Sequence, residues 1–335
     1  MSVISGTTTT VGVGTAGGIR EDLSDVIFDL FPEDTWAVSN LDREDAESTY
    51  TEWMAQELAS PSNTNIRIEG DDASYASLTA PARYASYLQI SSKDFLASDT
   101  LEAVKKAGRK SELARGAMVK MRELKRDMET RITNNGISTI GGAGTGRSTA
   151  GMESWIGDAT AEAATSSHVI LTTTTASATT APLSSGVAGV APTDGTTLAA
   201  MTAAALNYAL EGAWTDGGDP RVILTNTIGK RAIDAFSGVA TRFVDVDGAK
   251  QASIIGAANV YVSDFGKHQV ILHRYMRSSV VLCLDPDYWA IRYLRGFQKR
   301  KLAKTGDAEK YQIISEWALV ARNWKANSKV VAVNG

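Results

Sequence analysis

Apolar positions recur every three or four residues from Asp99 to Gly136 (DTLEAVKKAGRKSELARGAMVKMRELKRDMETRITNNG): Leu101, Val104, Ala107, Ala114, Ala117, Met121, Leu124, Met128 and Ile132. The stretch has no proline, and Gly108 counts as a mild interruption, so the pattern predicts one helix of about 35 residues, roughly 50 Å long. Asp99 with Glu102 forms a capping-box-like start, and Asn134, Asn135 and Gly136 supply residues that tolerate a left-handed end. The apolar stripe is thin. A rod this wet on its other faces is either a free beam or one long helix of an ordinary bundle.

Elsewhere the period changes. Arg20–Phe31 (REDLSDVIFDLF) predicts a short amphipathic helix with Leu23, Ile27 and Leu30 on one face, stopped by Pro32. From Ser48 to Ser98, strand-like TYTEWMAQEL, NIRIEG and ARYASYLQISS alternate with turn-rich ASPSNTN and GDDASYASLTAP. Large aliphatic residues are few there, so the segment reads as a long hairpin with no core of its own. A lone two-stranded ribbon is marginal in water and needs a partner surface. Residues 136–197 are rich in Thr, Ser, Ala and Gly and predict an elaborated loop with edge strands. Thr196–Trp214 predicts a helix, Arg221–Thr225 a buried strand, and Lys230–Phe236 a further helix. Strand-like runs follow: ANVYVSDF, QVILHRY, SVVLCLD, WAIRYL, YQIISEWALVAR and SKVVAVN. This order predicts an α+β core over 199–290, with the last 45 residues returning as β structure against the long helix.

With 335 residues and 43% hydrophobic content the chain can bury one or two cores. No run of 18 apolar residues exists, so no membrane helix is expected. The first 18 residues lack the charged and apolar regions of a secretory signal and are too small and polar to order themselves. The lone cysteine, Cys283, falls in an apolar strand, where a buried thiol is expected; no intrachain disulfide is possible, and a reducing compartment fits.

The net charge is −4, but it is segregated. Residues 1–100 carry seventeen acids and five bases; residues 102–131 carry five acids and ten bases; residues 290–335 carry three acids and ten bases. An acidic front therefore faces a basic rod and tail, within one chain or between chains.

Catalytic patterns are sparse. Gly141–Ser148 (GGAGTGRS) approaches a phosphate-binding loop, but Arg147 stands where lysine is required, and a helix end rather than a strand delivers it. A flexible connector is the simpler reading. His168, His268 and His273 lack partners at zinc-ligand spacing, and the last two read as surface and edge residues. Asp71-Asp72 and Asp245–Gly248 are acidic turns, the second without the twelfth-position glutamate of a calcium loop. The basic run Gln298–Lys304 allows nucleic-acid contact, yet aromatics do not interleave with it in sequence, which favours a solvated or subunit-facing surface.

Seven blocks in order resemble the podophage group of tailed-phage major head proteins. They are IREDLSDVIFDLFPEDTW (19–36), TYTEW (49–53), IEGDDAS (68–74), YLQISSKDFLASDTLEAVKKAGRKSELA (87–114), ELKRDMET (123–130), RSTAGMESW (147–155) and LAKTGDAEKYQIISEWALVARNWKA (302–326). The resemblance implies the α+β Hong Kong 97-type capsid fold: an N-terminal arm (1–47), an extended E-loop hairpin (48–97), the long spine helix of the P-domain (98–136), a Thr/Ser/Gly-rich loop or insertion (137–198), a mixed α/β A-domain (199–290) and a return to the P-domain (291–335).

It further implies a non-enzymatic head subunit, self-assembling as hexamers and pentamers into an icosahedral shell around double-stranded DNA. The partners implied are a separate scaffolding protein, a portal protein and a cement protein, without a membrane; assembly is expected in the host cytoplasm. The first lysine is Lys93, past the E-loop, so the isopeptide weld of some relatives is not expected. Inter-subunit contact candidates are Glu52, Glu57, Glu69, Asp71 and Asp72 on the loop, Lys105, Arg109, Arg115 and Arg126 on the spine, and Lys299, Arg300 and Lys301 in the tail. The alternatives are an encapsulin-like storage shell of the same fold and, from another class, a nucleotide-binding enzyme using Gly141–Ser148. No cofactor, metal or catalytic residue is assigned.

Overall fold

The computed structural model describes residues 26–32, 35–59, 61–70, 72, 75, 77–157, 168–171, 198–236, 259–331 and 333–334. In chain order, the first half forms α1 (Trp36–Asn40), β1 (Asp42–Asp45), β2 (Tyr50–Ala55), β3 (Ala82–Tyr87), β4 (Gln89–Ser98), α2 (Asp99–Ala103), α3 (Glu112–Ile132) and α4 (Met152–Trp155). Then come β5 (Val169–Leu171), β6 (Ala199–Ala200), α5 (Ala203–Thr215), β7 (Val222–Thr225), α6 (Thr227–Asp234), β8 (Val260–Ser263), β9 (Gly266–Leu272) and β10 (Val280–Leu284). The chain closes with β11 (Trp289–Lys301), β12 (Ala308–Ala321), β13 (Ser328–Val331) and β14 (Val333–Asn334).

Strand β10 explains how the fold is organised. All five of its residues are buried, as expected of a strand covered on both faces. Alternation sends Val280, Leu282 and Leu284 into one core with Met128, Ile132, Trp155, Trp289 and Trp317. Val281 and Cys283 enter a second core with Leu206, Leu210, Ile223, Ile233 and Val330. The six-stranded sheet β5-β13-β10-β7-β9-β8 is thus a wall between two cores. Helices α5 and α6 cover its second face. The four-stranded sheet β1-β11-β12-β4 and the C-terminal half of α3 contribute to the first core.

Two expectations about the end of the chain separate here. Strands β11 and β12 join the four-stranded sheet, and β12 pairs with β4 from Trp317↔Gln89 to Ala308↔Ser98. Strand β13 instead enters the six-stranded sheet, antiparallel to β10 and parallel to β5. So the return of 291–335 serves both sheets. The hairpin also divides: β2 and β3 form a ribbon from Tyr50↔Tyr87 to Ala55↔Ala82, whereas β4 belongs to the four-stranded sheet. NIRIEG is not a strand, and its Ile66 and Ile68 are largely exposed.

The single 35-residue helix is corrected to two helices. Gly108 adopts φ +72°, outside helical space, and Ser111 is extended. The Ser111 side chain accepts from Ala114 N–H at 3.1 Å, so it caps a new helix rather than continuing an old one. Ser98, not Asp99, caps α2, accepting from Leu101 N–H. Glu102 spans the break: its Oε2 accepts from Glu112 N–H at 2.9 Å, and contacts with Ser111, Glu112 and Lys106 hold its carboxyl down at about 2. Replacing Ser111 by Ala is expected to cost about 1 kcal/mol, read as a lower denaturant midpoint at unchanged slope.

The amphipathic helix expected over 20–31 is also corrected. Residues 20–25 lie outside the described residues, and 26–32 are not helical. A helix of so few turns is marginal without packing. Here alternate residues are held instead: Asp29 receives both guanidinium nitrogens of Arg115 (2.7 and 3.2 Å), and Arg122 stands 5.4 Å from the Phe31 ring centroid. Phe28 and Leu30 point outward, 89% and 95% exposed. The first 18 residues, most of the Thr-rich loop and the stretch Asp245–Gly248 all lie outside the described residues. The other predicted elements form with shifted ends; α5 starts at Ala203, because Thr202 caps it by accepting from Ala205 N–H.

Candidate functional site

The acidic front and basic back meet, in part, within this one chain. Strand β1 runs parallel to β11, which puts Glu44 beside Arg292 (2.7 Å) and Arg322 (2.6 Å), with Asp42 on Arg322 at 2.8 Å. Burial alone would raise the Glu44 carboxyl, but hydrogen bonds from the two arginines outweigh it and hold the group below its ordinary range. Asp29 on Arg115 and Asp99 on Lys304 continue the pattern.

The ribbon behaves differently. Glu52 pairs with Arg83 on the facing strand (2.7 Å), and Glu57 reaches Lys325 (2.6 Å). Beyond them Glu69 and Asp72 are exposed, while Asp71 lies outside the described residues. Met54, Leu58, Ile66, Ile68, Tyr75 and Leu78 are between 71% and 98% exposed. Uncovered apolar groups interspersed with acids are the mark of a surface that another surface covers.

Among the basic candidates, Lys105 is exposed in the break between α2 and α3, and Arg109 pairs there with Glu112. Arg126 stands 6.0 Å from the Tyr275 ring centroid. At the β11–β12 end of the four-stranded sheet, Lys299 lies 4.3 Å from the Tyr311 ring centroid and 5.9 Å from that of Phe95; the two rings stack at 5.6 Å. Lys301 pairs with Glu309, and Arg300 donates to Gln298. Aromatics absent from the basic run in sequence are thus brought under it by neighbouring strands. A hollow of about 410 Å³ opens there, lined by Asp94, Phe95, Leu96, Lys120, Leu302, Lys310 and Tyr311. An apolar floor with lysines around it suits an acidic, partly apolar segment.

Gly141–Ser148 is a tight hairpin, with Thr139 bridged to Ser148 and Gly142 to Thr145. Arg147 is committed to Glu316 at 2.7 Å, and the next helix has four residues, so the cradle of a phosphate-binding loop is not formed.

His268 and His273 are buried, correcting their assignment to the surface. His268 bonds Ser263 (2.7 Å) and the Pro220 carbonyl, and burial lowers its pKa. His273 meets Glu129 at 2.8 Å. Alternation placed both near a strand end but could not show what packs over it. His168 Nε2–H donates to the Lys325 carbonyl at 2.7 Å. Among the described residues no group of three or more His, Cys, Asp or Glu is placed to hold a metal ion, and no helix is long and apolar enough to cross a membrane. Cys283 is buried, and burial pushes its thiol up to about 12.

Lys329 is strongly perturbed by its surroundings. It is fully buried on β13, and its Nζ donates to the Glu153 carbonyl at 2.7 Å. Burial pulls its pKa from 10.5 down to about 7. Between those values the unfolded chain holds a proton that the folded one has released, so stability rises with pH in that window. Lys329→Met is expected to flatten the rise in denaturant midpoint between about pH 7 and about pH 9.

Similar folds are found in the capsid of the native GTA particle (12% identity, 97% of this chain and 99% of that one, TM-score 0.61) and in the cyanophage A-1(L) capsid (13%, 95% and 98%, 0.61). The holo-SrpI encapsulin of Synechococcus elongatus PCC 7942 is also similar (12%, 94% and 93%, 0.53). No curated protein is significantly similar in sequence. The fold is the Hong Kong 97-type capsid fold. The SU10 major capsid protein family model matches residues 3–334, nearly the whole chain. The chain therefore belongs to the SU10 major capsid protein family and is a structural subunit of a multimeric capsid shell.

Proposed function

We propose that this subunit, without enzymatic activity, assembles as hexamers and pentamers into an icosahedral virion shell around double-stranded DNA, built in the host cytoplasm. Scaffolding, portal and cement proteins are its proposed partners. The observation that carries the reading is the ribbon: its apolar side chains are uncovered in the single chain, and its distal acids have no base beside them among the ion pairs described. In this proposal residues 1–47 are the arm, 48–97 the E-loop with β4 lent to the P-domain sheet, 98–136 the spine, 137–198 an insertion, 199–290 the A-domain and 291–335 the shared return. The ribbon lies on a neighbour, and Glu69, Asp71 and Asp72 meet bases such as Lys105, Lys299 or Arg300.

The sequence family separates this reading from an encapsulin-like storage shell, which shares the fold alone. Cryo-electron microscopy of particles recovered from cells making this chain with its neighbouring head genes tests it. Closed shells with five- and six-fold capsomers and packaged DNA are expected. Shells that carry only protein cargo, or a chain that stays monomeric at micromolar concentration across ionic strengths, would overturn it.

A further inference from the structure

One carboxylate joins three distant parts of this chain. Glu129, fully buried on α3, accepts from Ala37 N–H on Oε1 (2.8 Å) and from Val38 N–H on Oε2 (2.9 Å). Those N–H groups belong to the first turn of α1, whose own N-cap, Thr35, makes no side-chain cap bond. Glu129 thus caps a helix 90 residues earlier in the chain. Its Oε1 also meets Nε2 of His273, at the start of the connector between β9 and β10. Tyr275 N–H points at Nδ1 of the same ring (3.3 Å), which makes Nδ1 the acceptor and puts the proton on Nε2, donating to Glu129.

The connector is tied elsewhere too. The Tyr275 hydroxyl donates to the Pro32 carbonyl at 2.8 Å, beneath the guanidinium of Arg126, and Arg277 lies 3.4 Å from Glu153. The arm, α3 and the six-stranded sheet therefore meet at one buried joint.

Three N–H donors on one water-excluded carboxylate do not act independently. Together they fix the plane and rotation of that carboxylate, so each donor depends on the orientation the others set. Losing one leaves a buried acceptor unsatisfied and frees the carboxylate to turn, so the remaining donors lose their alignment as well. We propose that Glu129 is a coupling residue that makes docking of the arm at 36–41 and ordering of the connector at 273–276 a single event. A contact that pulls on the arm would then loosen the ends of β9 and β10 within the six-stranded sheet, and the reverse holds by linkage.

Amide hydrogen exchange on the unassembled full-length subunit tests this. His273→Phe removes the connector's donor to Glu129. It is expected to speed exchange of Ala37 and Val38 about tenfold, together with Tyr275. His273→Gln, which retains an N–H donor, should recover much of that protection, and Glu129→Gln should release both segments together. If His273→Phe accelerates Tyr275 alone and leaves Ala37 and Val38 at wild-type rates, the two contacts are independent and the proposal fails. Should His273→Phe not fold, arm protection in His273→Gln no better than in Glu129→Gln overturns the proposal in the same way.

Discussion

Replacing residues 56–81 with a two-residue Asn-Gly turn is expected to leave the subunit folded and to abolish shell formation. Ala55 and Ala82 face each other at the end of the β2–β3 pairing, so a type I′ turn can close the ladder where they stand. Among the described residues, the excised stretch supplies none to either core. Its one cross-chain tie among the described residues is the half-exposed Glu57–Lys325 pair, worth about 0.2–1 kcal/mol. The melting temperature of the isolated subunit should therefore move by only a few degrees. What disappears is the uncovered apolar and acidic surface that the proposed function lays on a neighbour. Sedimentation and electron microscopy check the result. Normal shells from the shortened chain would show that the ribbon is not an assembly element; an unfolded subunit would show that it packs on its own chain.

That ribbon was legible from the sequence because absence is legible: a strand-like stretch with few aliphatics and many turn residues cannot hold a core. The two cores were only half legible. The five apolar residues of β10 announce a strand buried on both faces, but not that Val280 and Val281 enter different cores. The stretch from α2 to α3 shows why local pattern failed elsewhere. Apolar spacing continues through Leu101 and Val104, yet both are exposed, 42% and 57%. What decides the helix break is the φ of Gly108 and the Ser111 cap, features that override a thin stripe with little burial to offer. The buried histidines, the Lys299–Tyr311–Phe95 stack and the Glu129 joint depend on partners far along the chain, Phe95 and Tyr311 being 216 positions apart, and no spacing rule reaches that far.

Gly151→Ala is expected to destabilise the subunit by about 3 kcal/mol or more, near the upper end for overpacking. A Cβ at Gly151 would sit 1.9 Å from the Asn134 carbonyl oxygen and 2.9 Å from that of Arg131. Both obstacles are backbone, so no side chain can swing aside. Gly151 N–H also donates to the Gly136 carbonyl at 2.9 Å, and its own carbonyl accepts from Ser154 and Trp155. Displacing it therefore drags α4 away from the end of α3 and lifts Trp155, 1% exposed, out of a core shared with Met128 and Ile132. The control is Gly146→Ala in the neighbouring hairpin, where a Cβ meets nothing within 4 Å; its effect should stay within about 0.5 kcal/mol. Denaturant unfolding of the two variants decides the matter: equal midpoints would mean that the close approach of 131–134 to 151 is absent, and with it the seam that fixes the end of α3 against the first core.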